Sequence, residues 1–260
     1  MSSDISARAE ISPKAKIGDG CKIFPFVYIE DDVVIGDNCI VFPFVSILNG
    51  TRIGNGNKIH QGSVIGALPQ DFNFMGEKSE LIMGNNNIIR ENVVINRATH
   101  RGCQTVIGSN NFLMEGAHIS HDTKLGDNCV LGYGVKISGD CEIGNRVVFS
   151  SGVIQKAQTR VGEAATVQAS TTFGRDIPPY IVAGGSPVQY NGLNSIMCDT
   201  LGIDEKVKKH IANAYRLIFH GQTSIFDACI QVTQQVPDSP EIQNIVEFIR
   251  STKKGIISKL

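Results

Sequence analysis

From Ile5 to Ile65 an aliphatic residue returns at every sixth position: Ile5, Ile11, Ile17, Ile23, Ile29, Ile35, Val41, Ile47, Ile53, Ile59 and Ile65. Four positions after most of these stands a small or β-branched residue, among them Ala9, Ala15, Cys21, Val27, Val33, Cys39, Val45, Thr51 and Ser63; Asn57 is the exception. An amphipathic helix repeats at about 3.6 residues and a half-buried strand at about two, so neither element alone yields sixes. A hexapeptide period specifies a parallel β-helix. Three hexads make one triangular coil, the aliphatic side chain fills the prism, and the small residue lets the chain turn. Gly18-Asp19-Gly20, Gly36-Asp37-Asn38 and Gly54-Asn55-Gly56 supply the backbone freedom that corners need.

The rhythm returns at Met83, Ile89 and Ile95, then runs from Ile107 through Leu113, Ile119, Leu125, Leu131, Ile137, Ile143 and Phe149. Gln155 breaks the aliphatic series before Val161, Val167 and Phe173 restore it. Residues 66–82 and 96–106 are too irregular to be coils and are expected to loop out of the prism, where binding residues often collect. The hexads are expected to end near Pro178-Pro179, since proline cannot donate to a ladder. Past Asn191 the period becomes helical. Asp204–His220 places Val207, Ile211, Ala214 and Ile218 on one face with Gly221 as its stop, Thr223–Val236 reads as a second helix, and Ser239-Pro240 opens a third. The predicted organisation is a mainly β solenoid over 1–191 and a C-terminal three-helix domain over 192–260 that caps its open end.

Composition narrows the partners. With 24 basic and 25 acidic residues the chain has no global affinity for nucleic acid or an anionic membrane. It contains neither a long apolar stretch nor a signal-like N-terminus, so no membrane span is expected. Cys21, Cys39, Cys129 and Cys141 take the small inward hexad position, where cysteine is a compact apolar filler. Cys103 is the one thiol expected on a loop, and the odd total of 7 without a Cys-x-x-Cys spacing fits the cytosol. No His, Cys and carboxylate group has metal-ligand spacing and no Gly-rich phosphate loop precedes a helix, so neither a metal nor a bound cofactor is expected.

The segment Glu115-Gly116-Ala117-His118-Ile119-Ser120-His121-Asp122 carries the candidate chemistry. Ile119 points inward, so His121 and Asp122 are predicted to face outward. Imidazole, with an ordinary pKa of about 6.5, suits a base that removes an alcohol proton. A neighbouring carboxylate can orient the ring and stabilise the imidazolium. The competing reading of His121 is an exposed histidine on a strand.

The whole chain resembles the acyl-carrier-protein–UDP-N-acetylglucosamine O-acyltransferases of lipid A assembly. The likeness rests on Ile65-Gly66-Ala67-Leu68-Pro69-Gln70-Asp71, Ile89-Arg90-Glu91-Asn92-Val93-Val94-Ile95, Leu113–His118, His121-Asp122, Asp176-Ile177-Pro178-Pro179-Tyr180 and Asn213–Ile218. It implies a left-handed parallel β-helix, a homotrimer with sites between prisms, and transfer of a fatty acyl group from acyl carrier protein to the 3-hydroxyl of a sugar nucleotide. It further implies His121 as general base, Asp122 as its partner and the Gly139 N–H as oxyanion donor. Gln70, Asp71, His118 and Asn194 fall on family positions lining the clefts, and Ala169 on the position that gauges acyl length. Departures accompany these matches. Asn73 stands for a family lysine, Asn96, Asp140 and Lys156 for family histidines, Ala157 for a glutamine, and Thr200-Leu201 for an Arg-Arg pair. A diphosphate is normally held by such cations, so the nucleotide contact is expected to be rearranged.

Three functions are therefore open at this stage: the same acyl transfer, transfer by a paralogue to another sugar nucleotide or amino sugar, or a non-catalytic homologue that binds a partner. For the donor, Lys206, Lys208, Lys209 and Arg216, with Arg250, Lys253 and Lys254, form a basic surface able to steer an acidic carrier. Among the other histidines, His60 is expected to face out, and His100 to lie in the second loop.

Overall fold

A computed structural model describes residues 3–221 and 223–258. The hexads form a left-handed parallel β-helix whose three faces, called A, B and C in chain order, are sheets of 11, 9 and 8 strands. Most strands are two residues long, and each pairs in register with the strand one coil on, as Lys22 does with Ile40 and Ile23 with Val41. Ile23, Ile29, Ile35, Val41 and Ile47 are at most 2 % exposed and begin a continuous core that runs the length of the prism. Regular corners are two-residue turns whose second residue lies in the left-handed region, for example Gly20 (φ 67°), Asn38 (φ 57°) and Asp122 (φ 58°). Asparagine, aspartate and glycine tolerate that region best, which explains their place in the hexad.

Two polar columns fix the vertical register. On the C–A edge the Asp19 amide donates to Asp37 Oδ1 (2.8 Å), Asp37 to Asn55 (2.8 Å), Asn55 to Asn85 (2.7 Å), and the chain continues through Ser109, Asp127 and Asn145. Inside the prism, Asn57 is no exception but the first rung of a second column. Asn87 Nδ2 donates to Asn57 Oδ1 (3.0 Å), the Asn111 amide to Asn87 Oδ1 (2.9 Å), and the Cys129 amide to Asn111 Oδ1 (2.7 Å). Most buried amides here are partnered by a neighbouring coil, as burial demands, although Asn111 Nδ2 at the end of the column has no partner among the described residues. The inward cysteines are buried filler whose thiols also donate to carbonyls of the next coil, as Cys39 does to Gly54 and Cys129 to Gly144 (both 3.2 Å). Burial pushes the Cys39 thiol up to about 11 and Cys129 up to about 12, while Cys103 is exposed.

Both interruptions leave the prism at the same edge, between faces B and C. The first joins Val64–Ala67 to Glu80–Met83 and the second joins Val94–Asn96 to Gln104–Ile107, so each loop is shorter than 66–82 or 96–106 and its ends are strand. The loops pack on one another. Arg97 donates to the Asn49 carbonyl (2.8 Å) and lies 5.6 Å from the Phe74 ring, and Ser79 Oγ donates to the Ala98 carbonyl. Gln155 keeps its inward position, fully buried, with Nε2 bonded to the Thr159 carbonyl.

The coil continues past Pro178-Pro179. Ile181–Gly184 still pairs in parallel with Thr166–Val167, and only then does Gln189–Leu193 fold back antiparallel. The prolines sit just before that strand, where no ladder donor is required. Four helices follow: α1 (Ser195–Thr200), α2 (Glu205–His220), α3 (Ile225–Gln235) and α4 (Pro240–Arg250). The three expected from sequence are α2, α3 and α4; α1 was not anticipated, because six residues show no helical period. Caps are local, with Asp204, Ser224 and Ser239 accepting from first-turn amides. Arg160 ties the helices to the prism through Asp176 (2.9 Å), the Phe248 carbonyl (2.8 Å) and Ser251 (3.0 Å), with its guanidinium 4.4 Å from the Phe248 ring. No helix among the described residues is long and apolar enough to cross a membrane.

Candidate active site

The B–C edge collects what the hexad frame placed separately. In successive coils its corner holds the two loops, then His121-Asp122, Gly139-Asp140 and Ala157-Gln158; the Asp140 amide donates to the His121 carbonyl (3.1 Å) and Gln158 to Gly139 (3.1 Å). His121 is a corner residue, not a strand residue. It points out of the prism as expected, yet it is only 9 % exposed, because the loops and the following coil cover it.

Two carboxylates flank the imidazole. Asp122 Oδ2 lies 2.9 Å from Nδ1, and Asp71 Oδ2 lies 3.7 Å from Nε2. Asp122 is itself fixed at three points: its Oδ2 accepts the Thr99 amide of the second loop (3.0 Å), its own amide donates to Thr105 Oγ1 (2.9 Å), and its φ is 58°. Asp71 reaches in from the first loop. Its Oδ1 accepts both the Asn73 amide (2.7 Å) and Asn73 Nδ2 (2.9 Å), and these bonds, then the His121 ring, hold its carboxyl below the usual carboxylate range. A separation of 3.7 Å is too long for a hydrogen bond and leaves Nε2 available to a hydroxyl.

Gly139 presses against the ring from the next coil. A Cβ there would lie 2.4 Å from His121 Cε1 and 2.6 Å from Nε2, so only glycine fits beside this imidazole. Its amide has no acceptor among the described residues. The neighbouring base and free N–H make a pair able to take a proton and to stabilise a developing oxyanion.

His118 stands on face B one coil beyond Val94, with Nε2 2.7 Å from Asn96 Oδ1. Burial, then Lys136 and His121, lower its pKa from the ordinary value. Asn96 is 1 % exposed, and its Nδ2 donates to the Leu68 carbonyl (2.6 Å), anchoring the start of the first loop. Sequence reasoning named Asn96 only as a departure and missed Thr99 and Thr105. The hexad frame carried no signal for them, because only the strand pairing of Ile65 with Ile95 and of Ile95 with Ile119 shows that the three segments leave the same edge.

The remaining candidates are spread out. Gln70 and Asn73 are exposed on the first loop, and Asn73 serves as the clamp on Asp71. Asp140 lines a cleft of about 440 Å³ with Gln158, Glu142, Arg160, Lys253 and Lys254. Lys156 is exposed, its stem lying against Gly174. Ala169 is exposed on the opposite edge of face B, three coils further along. Asn194, expected from the resemblance to line a cleft, has its side chain engaged within the chain. It is buried as the N-cap of α1, with Nδ2 on the Ala164 carbonyl (2.8 Å) and Thr166 (2.9 Å) and Oδ1 on the Met197 amide. The basic surface is also weaker than its sequence. Lys208 is paired with Asp199 and Glu205 at 2.6 Å, and Arg216 is folded onto Asn213. His60 stacks on Phe42 with centroids 4.4 Å apart, and a larger hollow between α3 and α4, lined by Val236, Ile242 and Val246, lies away from His121.

A hexad prism of this length with a C-terminal helical part is the architecture of the hexapeptide-repeat transferases. The model of that repeat, described as bacterial transferase hexapeptide, matches residues 14–41, 34–67 and 104–139, and the second domain of UDP N-acetylglucosamine O-acyltransferase matches 176–257. The chain belongs to the family of acyl-carrier-protein–UDP-N-acetylglucosamine O-acyltransferases. It is 42 % identical over 254 residues to the member from Chlorobaculum parvum, covering 97 % of this chain and 96 % of that one. The member from Chlamydia abortus is 37 % identical, with 97 % and 91 % covered. The crystal structure of a UDP-N-acetylglucosamine acyltransferase from Bacteroides fragilis superposes with a TM-score of 0.96 at 46 % identity, covering 97 % of this chain and 99 % of that one.

Proposed function

We propose that this protein transfers a fatty acyl group from an acyl-carrier-protein thioester to the 3-hydroxyl of UDP-N-acetylglucosamine by general-base catalysis at His121. The observation that carries this reading is the imidazole held between Asp122 and Asp71, with Gly139 packed so closely on the ring that no side chain would fit. Nε2 removes the hydroxyl proton as oxygen attacks the thioester carbonyl. Asp122 keeps Nδ1 protonated and supports the imidazolium. The negative charge reaching the carbonyl oxygen is met by the Gly139 N–H. Collapse expels the carrier thiolate, which is protonated from Nε2 by the proton that the hydroxyl gave up.

Lys156 supplies a cation for the diphosphate, in place of the family cations absent at Asn73, Asp140 and Thr200-Leu201. Gln70 and the Asp71–Asn73 turn face the sugar. Asn194 acts indirectly, by fixing the start of α1. Lys206, Lys209, Lys253 and Lys254 guide the acidic carrier, and the last two already line the Asp140 cleft. The working unit is a cytoplasmic homotrimer in which a solenoid domain carries the site and a helical domain receives the donor. The exposed Phe26–Phe44 stack is apolar surface that a neighbouring copy can cover. Ala169 ends the acyl groove, so Ala169→Gly should accept a longer chain than the native protein.

The test is acyl transfer from carrier thioesters of graded length to UDP-N-acetylglucosamine. Product from native protein, with at least about a thousandfold loss in His121→Ala, is expected. Product from other amino sugars alone would replace this acceptor, and no product from any acceptor would end the catalytic reading.

A further inference from the structure

Asn96 has an orientation that chemistry leaves no freedom to reverse. A carbonyl oxygen only accepts, so the group 2.6 Å from the Leu68 carbonyl must be the amide NH₂. The amide oxygen therefore faces His118, and at 2.7 Å it can only accept a hydrogen bond from Nε2–H. A neutral imidazole that donates at one nitrogen has a lone pair at the other. Burial and the nearby Lys136 both disfavour a second proton. No partner for His118 Nδ1 is present among the described residues.

We infer that Asn96 is a positioning residue that fixes His118 as the neutral Nε2–H tautomer, leaving Nδ1 as an unpartnered acceptor. The ligand group that meets His118 is then a donor, a hydroxyl or an amide N–H, and not a phosphate oxygen, whose lone pairs would oppose that of Nδ1. The same amide ties this choice to the first loop, since releasing Leu68 frees Asn96 to turn. The inference deepens the acyl-transfer reading and rests on it for the identity of the ligand, while the tautomer itself does not depend on turnover.

Nitrogen-15 histidine spectra of the native protein near neutral pH decide the first part. A protonated Nε2 and bare Nδ1 on His118, assigned by its loss in His118→Gln, is expected; the opposite tautomer or an imidazolium overturns the inference. Adding UDP-N-acetylglucosamine should move the Nδ1 resonance and leave Nε2 protonated, whereas saturation with no change at Nδ1 removes the ligand assignment. Asn96→Asp puts a carboxylate against Nε2 and favours the imidazolium. The acid limb of kcat/KM should rise by about one pH unit or more, so that activity lost at low pH returns at high pH. A loss equal at every pH would show a merely structural role.

Discussion

Gly139 and His121 belong to different coils, and each restricts the other. Replacing Gly139 by alanine puts a methyl group where the imidazole ring now lies. Gly139→Ala is expected to lower kcat/KM by at least about a hundredfold, comparable to losing an oxyanion donor, with little change in melting temperature because neither group is in the core. A steady-state assay beside thermal denaturation checks both halves. Asp122→Asn should retain the fold and the ring's position but not its favoured tautomer, costing about a hundredfold or more in kcat. Histidines also set a pH dependence. Burial holds both His60 and His118 below the ordinary value of 6.5. As pH falls through about 6.5 the unfolded chain takes up these protons first, so stability declines until the folded rings titrate too, and above that pH they contribute no slope. Melting curves between about pH 7 and 5 should therefore flatten in His60→Gln, and an unchanged slope would assign the loss to other groups.

Coils carry a different kind of specification. Asn87 lends its side chain to Asn57, Gly108 and Asn111 at once. Asn87→Ala leaves buried partners unsatisfied and should cost about 2–4 kcal/mol, read as a fall in denaturation midpoint with activity per folded molecule retained. The hexad made the prism, its inward residues and its corners legible, because a period of six has no other common structural meaning. It could not show which edge a loop leaves from. Val41 pairs with Ile59, eighteen positions on, but Ile59 pairs with Ile89, thirty on, and Met83 with Ile107, twenty-four on. Both detours are whole hexads, so the frame stays in phase and hides the change of face. Together they add one full coil, which is why His121 still falls on the edge that simple counting assigns. Its burial, by contrast, comes from Gly139 in the next coil and from the loops, where Asp71 meets its ring and Thr99 holds Asp122, and no periodicity reports contacts made by irregular segments. Asn194 and α1 were opaque for the same reason: a cap and six residues carry too little pattern.

At the scale of the whole molecule, solenoid and helices are joined through Arg160. Asp176 is 1 % exposed and pairs with this guanidinium, which also reaches α4. Arg160→Ala leaves the buried Asp176 carboxylate without its cation, held only by the backbone amide of residue 160 (2.9 Å) and Thr252 Oγ1 (2.8 Å), and should destabilise by about 3 kcal/mol. The helical part is expected to melt ahead of the prism, visible as two transitions by calorimetry where the native protein is expected to show one. The two loops, meanwhile, depart and rejoin at a single seam. Removing a hexad from a coil would rotate everything above it by a third of a turn, whereas shortening a detour rotates nothing. Acceptor preference in such a tower can thus be rewritten by exchanging what hangs from that seam, while the masonry holding the base stays where it is.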